Sequence, residues 1–421
     1  MELNPDHKMD KVTIVPEAWI MTSLTNLCVP NGLIRGPFGG AIKKSFFVSN
    51  GYKVYEQKNA IYKSIELGDA YINEEKRAEL KRFTVCDGDF IVSCSGTIGR
   101  IYQIPQNAPA GIINQALLLI RVNTQIINRD LFCQIFESSS FQEGIIDNSH
   151  GGAMPNIVGM GIFKNIKITH PTDLHEQAAI AGALTDTDAL IAKLDQLIAK
   201  KCAIRQAVKY QLLTGQKRLP GFKGEWEDTT LSSLGLLKKG KGITKSDLIS
   251  YGNPCIRYGE IYTKYNYYFD KCYSYINDQT ALISQKIKHG DLLFTCSGET
   301  PEEIAKCVVY LGTEEAYAGG DIIIVSPSNC NSLFLAYLLN SDHVVAQKIS
   351  MAQGDAVVHI STTNLKLLSF RLPSLEEQTA VADIIFDMDK EIKTLERRRD
   401  KTKAIKEAMM QELLTGRIRL V

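Results

Sequence analysis

Two stretches of the chain carry apolar residues at the three- and four-residue spacing of an amphipathic helix. The first stripe consists of Leu184, Thr187, Ile191, Leu194 and Ile198, with Ile204, Val208 and Leu212 beyond it. The second consists of Ile385, Met388, Ile392 and Leu395, followed by Ile405, Met409 and Leu413. Charged residues occupy the other faces, so the pattern predicts two long helices of the coiled-coil type. The predicted helices begin after Pro171 and Pro373 and end near Gly215 and Gly416.

These two helical segments are copies of each other. Residues 176–219 align with residues 377–420 without a gap, at an offset of 201, and 18 of the 44 aligned positions are identical. Both copies open with Glu-Gln and close with Leu-Leu-Thr-Gly-x-x-Arg-Leu. A single amphipathic helix cannot bury its own stripe, so two similar helices in one chain are expected to pair.

The regions between the helices echo each other more faintly. Cys94-Ser95-Gly96 recurs 202 residues later as Cys296-Ser297-Gly298. Short apolar runs predict strands at Phe90–Cys94, Ala116–Val122, Asp291–Cys296 and Asp321–Val325, and short helices at Leu131–Ser138 and Leu333–Leu339. We therefore expect two divergent mixed α/β domains and two similar helical segments, with boundaries at 1–172, 173–219, 220–373 and 374–421.

The composition is that of an ordinary globular protein, with 44% hydrophobic and 23% charged residues. No apolar run reaches the roughly 18–20 residues that a membrane span needs. The first residues contain no apolar stretch typical of a secretion signal. The ten cysteines are scattered and form no Cys-x-x-Cys pair, which argues against a zinc site or a disulfide scaffold. We expect a cytoplasmic protein with no membrane partner.

The charge of the chain is balanced overall but uneven locally. Lys and Arg number 48 and Asp and Glu 47, whereas nucleic-acid binders usually have a basic excess. Residues 35–82 contain ten basic and six acidic side chains, and residues 238–271 contain seven and three. These two basic regions give weak support for DNA contact.

Several motifs together resemble a known family, the specificity subunits of type I restriction-modification enzymes. The resemblance is carried by the Pro-x-x-x-Glu-Gln helix start (Pro373 to Gln378, and Pro171 to Gln177 with one extra residue) and by the Leu-Leu-Thr-Gly-x-x-Arg-Leu helix end. Residues 36–63 and 237–265 are similar to the starts of target-recognition domains. The similarity runs over essentially the whole chain, in the same order.

This resemblance implies an α+β fold in which two mixed α/β target-recognition domains are separated by an antiparallel pair of long coiled-coil helices. Each domain would read one half of a bipartite site on double-stranded DNA. The site would be asymmetric, because the two domains have diverged. The helices would set the gap between the half-sites and dock two modification subunits, which carry the adenine methyltransferase chemistry, and indirectly the motor-nuclease subunits. The chain itself would be non-catalytic, with no cofactor and no metal.

Candidate DNA contacts come from the basic clusters and from side chains suited to base edges. Lysines near phosphates position a protein without reading sequence, and the candidates are Lys43, Lys44, Lys53, Lys58, Lys238, Lys239, Lys241 and Lys245. Base edges are read by longer polar side chains, and the candidates are Arg35, Gln57, Asn59, Arg100, Arg257, Tyr258, Glu260 and Tyr262. Each of them is also compatible with an ordinary surface or turn position.

Two further groups of residues complete the candidates. The turn-rich loops Ser93–Gly99 and Ser297–Glu303 are equally compatible with presenting hydroxyls to DNA and with being plain loops. Helix pairing and partner docking are assigned to the helix starts and the apolar stripes, namely Glu176, Gln177, Ile191, Leu194, Glu377, Gln378, Ile392 and Leu395.

Three motifs resemble enzyme signatures without meeting their requirements. Residues 235–241 spell the Gly-x-x-x-x-Gly-Lys of a phosphate-binding loop, but Gly242 stands where a Ser or Thr is needed. Residues 253–256, Asn-Pro-Cys-Ile, lack the second proline and the aromatic ring of an adenine methyltransferase motif. Asp69 and residues 74–76 are more typical of a solvated charge run than of a metal-dependent nuclease. The alternative to DNA recognition is a two-lobed coiled-coil scaffold that binds protein partners and reads no DNA.

Overall fold

The computed structural model of the chain describes residues 16–147, 156–354 and 357–420. The chain divides into two compact units, residues 1–195 together with 398–421, and residues 196–397. Each unit combines one mixed α/β domain with one part of each long helix.

The first domain contains twelve strands and five short helices in its described residues. The strands are β1 (Trp19–Ser23), β2 (Cys28–Arg35), β3 (Tyr52–Tyr55), β4 (Tyr71–Ile72), β5 (Thr84–Val85), β6 (Phe90–Ser93), β7 (Ile101–Gln103), β8 (Gly111–Ile113), β9 (Leu117–Val122), β10 (Ile146–Asp147), β11 (Asn156–Ile157) and β12 (Lys167–Pro171). The helices are α1 (Gln57–Ile61), α2 (Glu74–Glu79), α3 (Arg129–Glu137), α4 (Ser139–Ile145) and α5 (Met160–Asn165). The long helix α6 (Leu174–Leu213) follows.

The second domain is built in the same way. Its strands are β13 (Glu227–Thr230), β14 (Leu237–Lys239), β15 (Leu248–Ile249), β16 (Asn253–Ile256), β17 (Tyr268–Phe269), β18 (Ser274–Ile276), β19 (Gln285–Ile287), β20 (Leu292–Thr295), β21 (Ser297–Gly298), β22 (Cys307–Tyr310), β23 (Ala316–Ala318), β24 (Ile322–Val325), β25 (Val358–His359) and β26 (Ser369–Leu372). Its helices are α7 (Leu231–Leu234), α8 (Tyr258–Thr263), α9 (Asp278–Ile283), α10 (Ser332–Leu338), α11 (Asp342–Met351) and α12 (Thr362–Lys366). The second long helix, α13 (Leu375–Leu413), follows β26.

The two domains share one sheet topology. In the first, four-stranded sheets have the orders β2-β9-β6-β7 and β4-β3-β8-β5. In the second, the corresponding orders β14-β24-β20-β22 and β18-β16-β23-β19 each gain one edge strand, β17 and β15. In both domains one parallel pair, β3 with β8 and β16 with β23, lies inside an otherwise antiparallel sheet. The faint sequence echo between the domains therefore reflects a common fold.

The central strand β9 shows why the predicted strands are continuous apolar runs. Leu118 and Ile120 face the core beneath α3, α4 and α5, whereas Leu117 and Leu119 face the core between the two sheets. A strand that is covered on both faces needs apolar residues at every position rather than at alternate ones. Strand β20 of the second domain repeats this arrangement, with Phe294 and Leu293 on opposite sides.

The long helices pair with each other inside each unit. In the first unit, Lys406 contacts Asp188 at 2.7 Å and Arg399 contacts Asp195 at 3.4 Å. In the second unit, Lys201 contacts Glu391 and Arg205 contacts Asp389, both at 2.7 Å. The contact residues have increasing numbers along α6 and decreasing numbers along α13, so the two helices are antiparallel. The expected fold class, two mixed α/β domains with an antiparallel pair of long helices, is confirmed.

Within the part of the chain that the structure describes, no helix combines the length and the apolar character needed to cross a membrane.

Candidate nucleic-acid interface

One end of the first domain gathers several of the predicted contact residues. Strands β2 and β6 both pair antiparallel with β9, and their last residues, Arg35 and Ser93, lie beside Leu118 and Leu117. Strand β3 reaches the same end, because Tyr55 pairs with Ile113 just before the turn into β9. Arg35, helix α1 and the loop 94–100 after β6 therefore lie at one end of the two sheets.

Loop 94–100 is held by a set of hydrogen bonds from the domain below it. The side-chain carbonyl of Gln57 accepts the backbone N–H groups of Cys94 at 3.2 Å and Ser95 at 3.0 Å. The Ser93 hydroxyl accepts the N–H of Arg100 and donates to the carbonyl of Thr97 at 2.6 Å. The side-chain amide of Gln142 donates to the carbonyl of Gly99 at 3.2 Å.

The tip of this loop is exposed and its backbone is unusual. Gly96 and Gly99 have φ angles of 66° and 72°, in the left-handed region that favours glycine. A side chain at Gly99 would collide with Gln142, whereas one at Gly96 would meet nothing within 4 Å. Gly96, Thr97 and Arg100 are exposed. The loop thus presents a hydroxyl and a guanidinium on a fixed backbone.

The second domain places a chemically different loop in the same position. Loop 296–303 follows β20, and the N–H of Cys296 donates to the carbonyl of Asp321 at 2.8 Å. The Tyr262 hydroxyl donates to the carbonyl of Ser297 at 2.9 Å and lies 2.6 Å from the Thr295 hydroxyl. The Ser297 hydroxyl lies 3.0 Å from Nδ1 of His359. The loop exposes the carboxylates of Glu299, Glu302 and Glu303.

Seven of the eight candidate phosphate lysines are exposed, and these are Lys43, Lys44, Lys58, Lys238, Lys239, Lys241 and Lys245. Lys58 pairs with Glu56 at 2.9 Å. Lys239 is the last residue of β14. The backbone N–H of Lys241 donates to the carbonyl of Ala318, the last residue of β23. Both lysines lie at the loop end of the second domain.

Lys53 is the exception, and the expectation of a phosphate contact fails there. Its side chain is buried in β3, and Nζ donates to the carbonyl of Gly68 at 2.9 Å. The ammonium also lies 5.7 Å from the centre of the Tyr71 ring. A buried ammonium that is satisfied by a carbonyl and an aromatic face stabilises the sheet and cannot reach a phosphate.

The candidate base-reading residues of the first domain separate into two groups. Arg100 is exposed, and Arg35 is half-buried with Nη1 lacking a hydrogen-bond partner among the described residues. Asn59 is fully buried: its carbonyl accepts the N–H of Glu56, and its amide donates to the carbonyls of Ser64 and Leu67. The prediction that Asn59 reads a base is therefore wrong, because every contact that it makes stabilises the start of α1 and the turn after it.

The second domain repeats this division. Tyr258 is exposed, and Arg257 is half-buried with Nε unpartnered among the described residues. Glu260 is buried; its carboxylate accepts the N–H of Arg257 at 2.8 Å and the hydroxyl of Ser274 at 2.5 Å. Glu260 lies 201 residues after Asn59 and caps the corresponding helix, so its predicted base contact is also wrong. Tyr262 is half-buried and contacts loop 296–303.

The Glu-Gln pairs that open the long helices are buried and cannot dock a partner. Gln177 accepts the N–H of Asn128 at 2.7 Å and donates to the carbonyls of Ile126 and Pro171. Gln378 accepts the N–H of Asn331 at 3.0 Å and donates to the carbonyl of Pro373. These glutamines join each helix start to the domain before it.

Their glutamate neighbours join each helix start to the end of the other helix. Glu176 accepts two hydrogen bonds from Arg419 in the first unit, and Glu377 accepts two from Arg218 in the second. The docking role that we expected for Glu176 and Glu377 is replaced by this internal pairing. Sequence reasoning missed both arginines, although they stand 201 residues apart in the repeated Leu-Leu-Thr-Gly-x-x-Arg-Leu segment.

The stripe residues differ in their burial. Leu194 and Ile392 are buried, whereas Ile191 and Leu395 are half-buried. This is the arrangement that helix pairing requires, with two positions at the centre of the seam and two at its margin.

The cysteines that begin the two loops are buried. Burial raises the pKa of the Cys94 and Cys296 thiols to about 12, so both remain protonated near neutral pH and pack as apolar groups. Across the described ranges, no group of three or more His, Cys, Asp or Glu side chains is placed to hold a metal ion.

Comparison with known proteins connects this fold to one family. A family model described as the type I restriction modification DNA specificity domain matches residues 39–200 and again residues 223–404. The type I restriction enzyme MjaVIII specificity subunit of Methanocaldococcus jannaschii is 25% identical over 327 residues, which cover 74% of this chain and 75% of that protein.

Two solved structures share the fold. The S subunit of a type I restriction-modification system from M. genitalium has a TM-score of 0.58 at 13% identity, with 98% of both chains covered. A chain from a study of complex assembly and conformational transition of the type I restriction-modification system has a TM-score of 0.55 at 14% identity, covering 96% of this chain and 99% of its own. Since the family model matches well over half of the chain in two successive copies, this protein belongs to the specificity subunits of type I restriction-modification enzymes, non-catalytic subunits with a role in DNA sequence specificity.

Proposed function

We propose that the two α/β domains, residues 1–172 and 220–373, each read one half of a bipartite, asymmetric site on double-stranded DNA. The observation that carries the proposal is that one sheet topology presents two different loops at the same position. Loop 94–100 offers Thr97 and Arg100, whereas loop 296–303 offers three glutamates. Arginine suits the acceptors of guanine, and a carboxylate suits the amino group of cytosine, so the two domains would prefer different bases.

The exposed lysines would supply the contacts that do not depend on sequence. Lys239 and Lys241 lie at the loop end of the second domain, and Lys43, Lys44 and Lys58 are exposed in the first. Lysines beside phosphates release counterions and fix the register of the protein on the duplex. Among the candidate base contacts, Arg100 and Tyr258 expose their side chains, whereas Arg35 and Arg257 are half-buried beside them.

We propose that the helical segments, residues 173–219 and 374–421, set the spacing of the half-sites and dock two modification subunits. With the Glu-Gln pairs buried, docking falls to apolar side chains that the helices leave exposed. Leu190, Leu197 and Ile204 recur every seven residues along α6 and are each about two-fifths exposed. A seven-residue apolar repeat on one helix face is the pattern that another helix packs against. Motor-nuclease subunits would join indirectly, through the modification subunits.

We propose that the protein acts in the cytoplasm, where it meets its DNA target. The modification subunits would bind the methyl donor. Adenine-methylation mapping by long-read sequencing tests the proposal, in cells that express the chain with its neighbouring modification subunit. We expect a bipartite, asymmetric methylated motif that disappears when the chain is deleted. A complex that assembles and yet produces no motif would support instead a two-lobed scaffold that reads no DNA.

A further inference from the structure

Gln57 stands at the loop end of the first domain but directs its side chain inward. Its carbonyl oxygen accepts two successive backbone N–H groups, those of Cys94 and Ser95. Only the oxygen of a glutamine amide can accept, so these two donors fix which end of the side chain faces the loop. Gln57 is the first residue of α1, whose start is closed by the capping contacts between Glu56 and Asn59. The glutamine is thus fixed in place by the helix below it.

The contact lies where loop 94–100 leaves the sheet. The N–H of Cys94 is shared between Gln57 and the carbonyl of Ala116, at 3.2 and 3.0 Å, and is secured by two acceptors. The N–H of Ser95 has Gln57 as its acceptor. Beyond Ser95 the loop rises to the exposed pair Gly96 and Thr97. Gln57 therefore fixes the backbone at Cys94 and Ser95, where the loop leaves the sheet, while Ser93 and Gln142 hold the residues from Thr97 onward.

We infer that Gln57 is a positioning residue that fixes the DNA specificity of the first domain by orienting loop 94–100, an inference that rests on the proposed function. A loop that reads bases must hold its contacts in place before binding, since ordering it at the DNA lowers affinity and discrimination. Gln57 provides this order through its acceptor oxygen, and not through the NH₂ group that would read an adenine.

The second domain uses a different residue for the corresponding loop. Tyr258, 201 residues after Gln57, is exposed, and loop 296–303 is held by Tyr262 one helical turn later. Each domain thus has its own anchor, and a change at Gln57 should alter the first half-site and leave the second intact. The second half-site is an internal control within every methylated molecule.

The test compares Gln57→Ala with Gln57→Glu in the full chain. Alanine removes the acceptor, whereas glutamate keeps an acceptor of the same length and loses the NH₂ donor. Hydrogen exchange of the purified chain is the first readout, and it needs neither DNA nor a partner. In Gln57→Ala we expect faster exchange of the 92–99 segment with the rest of the domain unchanged, and in Gln57→Glu we expect wild-type protection. Wild-type protection of this segment in Gln57→Ala would overturn the inference.

Adenine-methylation mapping with the modification subunit is the second readout. For Gln57→Ala we expect methylation at the wild-type motif to fall on the order of tenfold, with degeneracy confined to the first half-site. For Gln57→Glu we expect an unchanged motif.

Loss of the first half-site in both variants would overturn the inference in favour of direct reading through the NH₂ group. An intact first half-site in Gln57→Ala would also overturn it. A wild-type complex without any motif would contradict the proposed function itself, whatever the exchange result. The exposed Gln125→Ala serves as the matched control and should change neither readout.

Discussion

The guanidinium of Arg419 donates two hydrogen bonds to the carboxylate of Glu176, the residue that opens the first long helix. Glu176 also accepts the indole N–H of Trp19 at 3.4 Å, and its side chain is fully buried. A buried carboxylate that loses its cationic partner is left with an uncompensated charge. Within the first unit, this pair therefore holds the segment after α13 against the start of α6.

Arg419→Gln should destabilise the first unit because the buried Glu176 carboxylate then has no cationic partner. We expect a lower urea midpoint in the variant, and partial recovery when Glu176→Gln is added, since both changes together remove the charge pair. The matched control is Arg417→Gln, because Arg417 contacts Glu412 on the surface at 3.3 Å and surface pairs contribute little. Equal effects of the two arginine variants would contradict the prediction.

A second prediction concerns Gln177, which is fully buried and joins three backbone groups. Gln177→Leu keeps the volume but leaves an N–H and two carbonyls without this partner. We expect a loss of roughly 3 kcal/mol in the free energy of unfolding, since each unsatisfied buried group costs about 1–3 kcal/mol. Hydrogen exchange should become faster at residues 126–131 while the second unit remains protected. Gln378→Leu should make exchange faster near Asn331 and Pro373, in the second unit. If either variant changed protection in both units, the result would argue against local anchoring.

Much of the architecture could be predicted because its signals are repeated or continuous. The helical stripes occur twice at a fixed offset, and the observed helices Leu174–Leu213 and Leu375–Leu413 enclose both. Strand β9, observed at Leu117–Val122 against a prediction of Ala116–Val122, is apolar at nearly every position because both of its faces are covered. A strand that is buried on both faces is a continuous apolar run, and such a run can be recognised in a single sequence.

The roles of individual polar side chains could not be predicted in the same way. Lys53 belongs to a basic cluster in the sequence, but its neighbour at Gly68 is brought close by the pairing of β3 with β4. Gln177 contacts Asn128, 49 positions earlier, and nothing local indicates this. Asn59 and Glu260 are of residue types that often read bases. Only the capping geometry of α1 and α8 shows that their side chains form hydrogen bonds within the domain.

A third prediction uses Lys348, which is fully buried and donates to the carbonyl of Ala305 at 2.6 Å. Burial lowers the pKa of this ammonium to about 8, whereas in the unfolded chain it keeps its ordinary value near 10.5. Between these values the unfolded state binds more protons, so this lysine makes stability rise with pH. The neighbouring Cys307, whose pKa burial raises to about 12, stays neutral in that window.

Lys348→Met removes the titrating group, so the two unfolding curves should separate with pH. We expect the free energy of unfolding of the wild type, minus that of the variant, to increase by up to about 1.4 kcal/mol per pH unit between pH 8 and 10.5. Urea unfolding at pH 7, 8, 9 and 10 measures the difference, in which the titration of all other groups cancels. A difference that stays constant with pH would contradict the prediction, and the exposed Lys366→Met should give that flat result.

A fourth prediction concerns the exposed lysines of the second domain. Charge reversal at Lys238, Lys239 and Lys241 should weaken DNA binding by the assembled complex and reduce its salt dependence. Each lost phosphate contact should lower the slope of log K against log salt by about 0.9. Binding titrations at several salt concentrations measure this slope. Single reversals at Lys238, Lys239 and Lys241 are each compared with Lys366→Glu, which changes the net charge by the same amount. An unchanged slope in the triple variant would remove these lysines from the interface.

The last prediction tests the anchor of the second loop. The Tyr262 hydroxyl donates to the carbonyl of Ser297 and meets the hydroxyl of Thr295, and burial raises its pKa to about 12, so it keeps its proton near neutral pH. Tyr262→Phe removes both contacts while the ring remains, so loop 296–303 should loosen without a cavity. Methylation mapping should then show degeneracy in the second half-site and an intact first half-site. Degeneracy in the first half-site would contradict the assignment of one loop to each half-site, and an unchanged motif would show that the remaining contacts hold the loop without this hydroxyl.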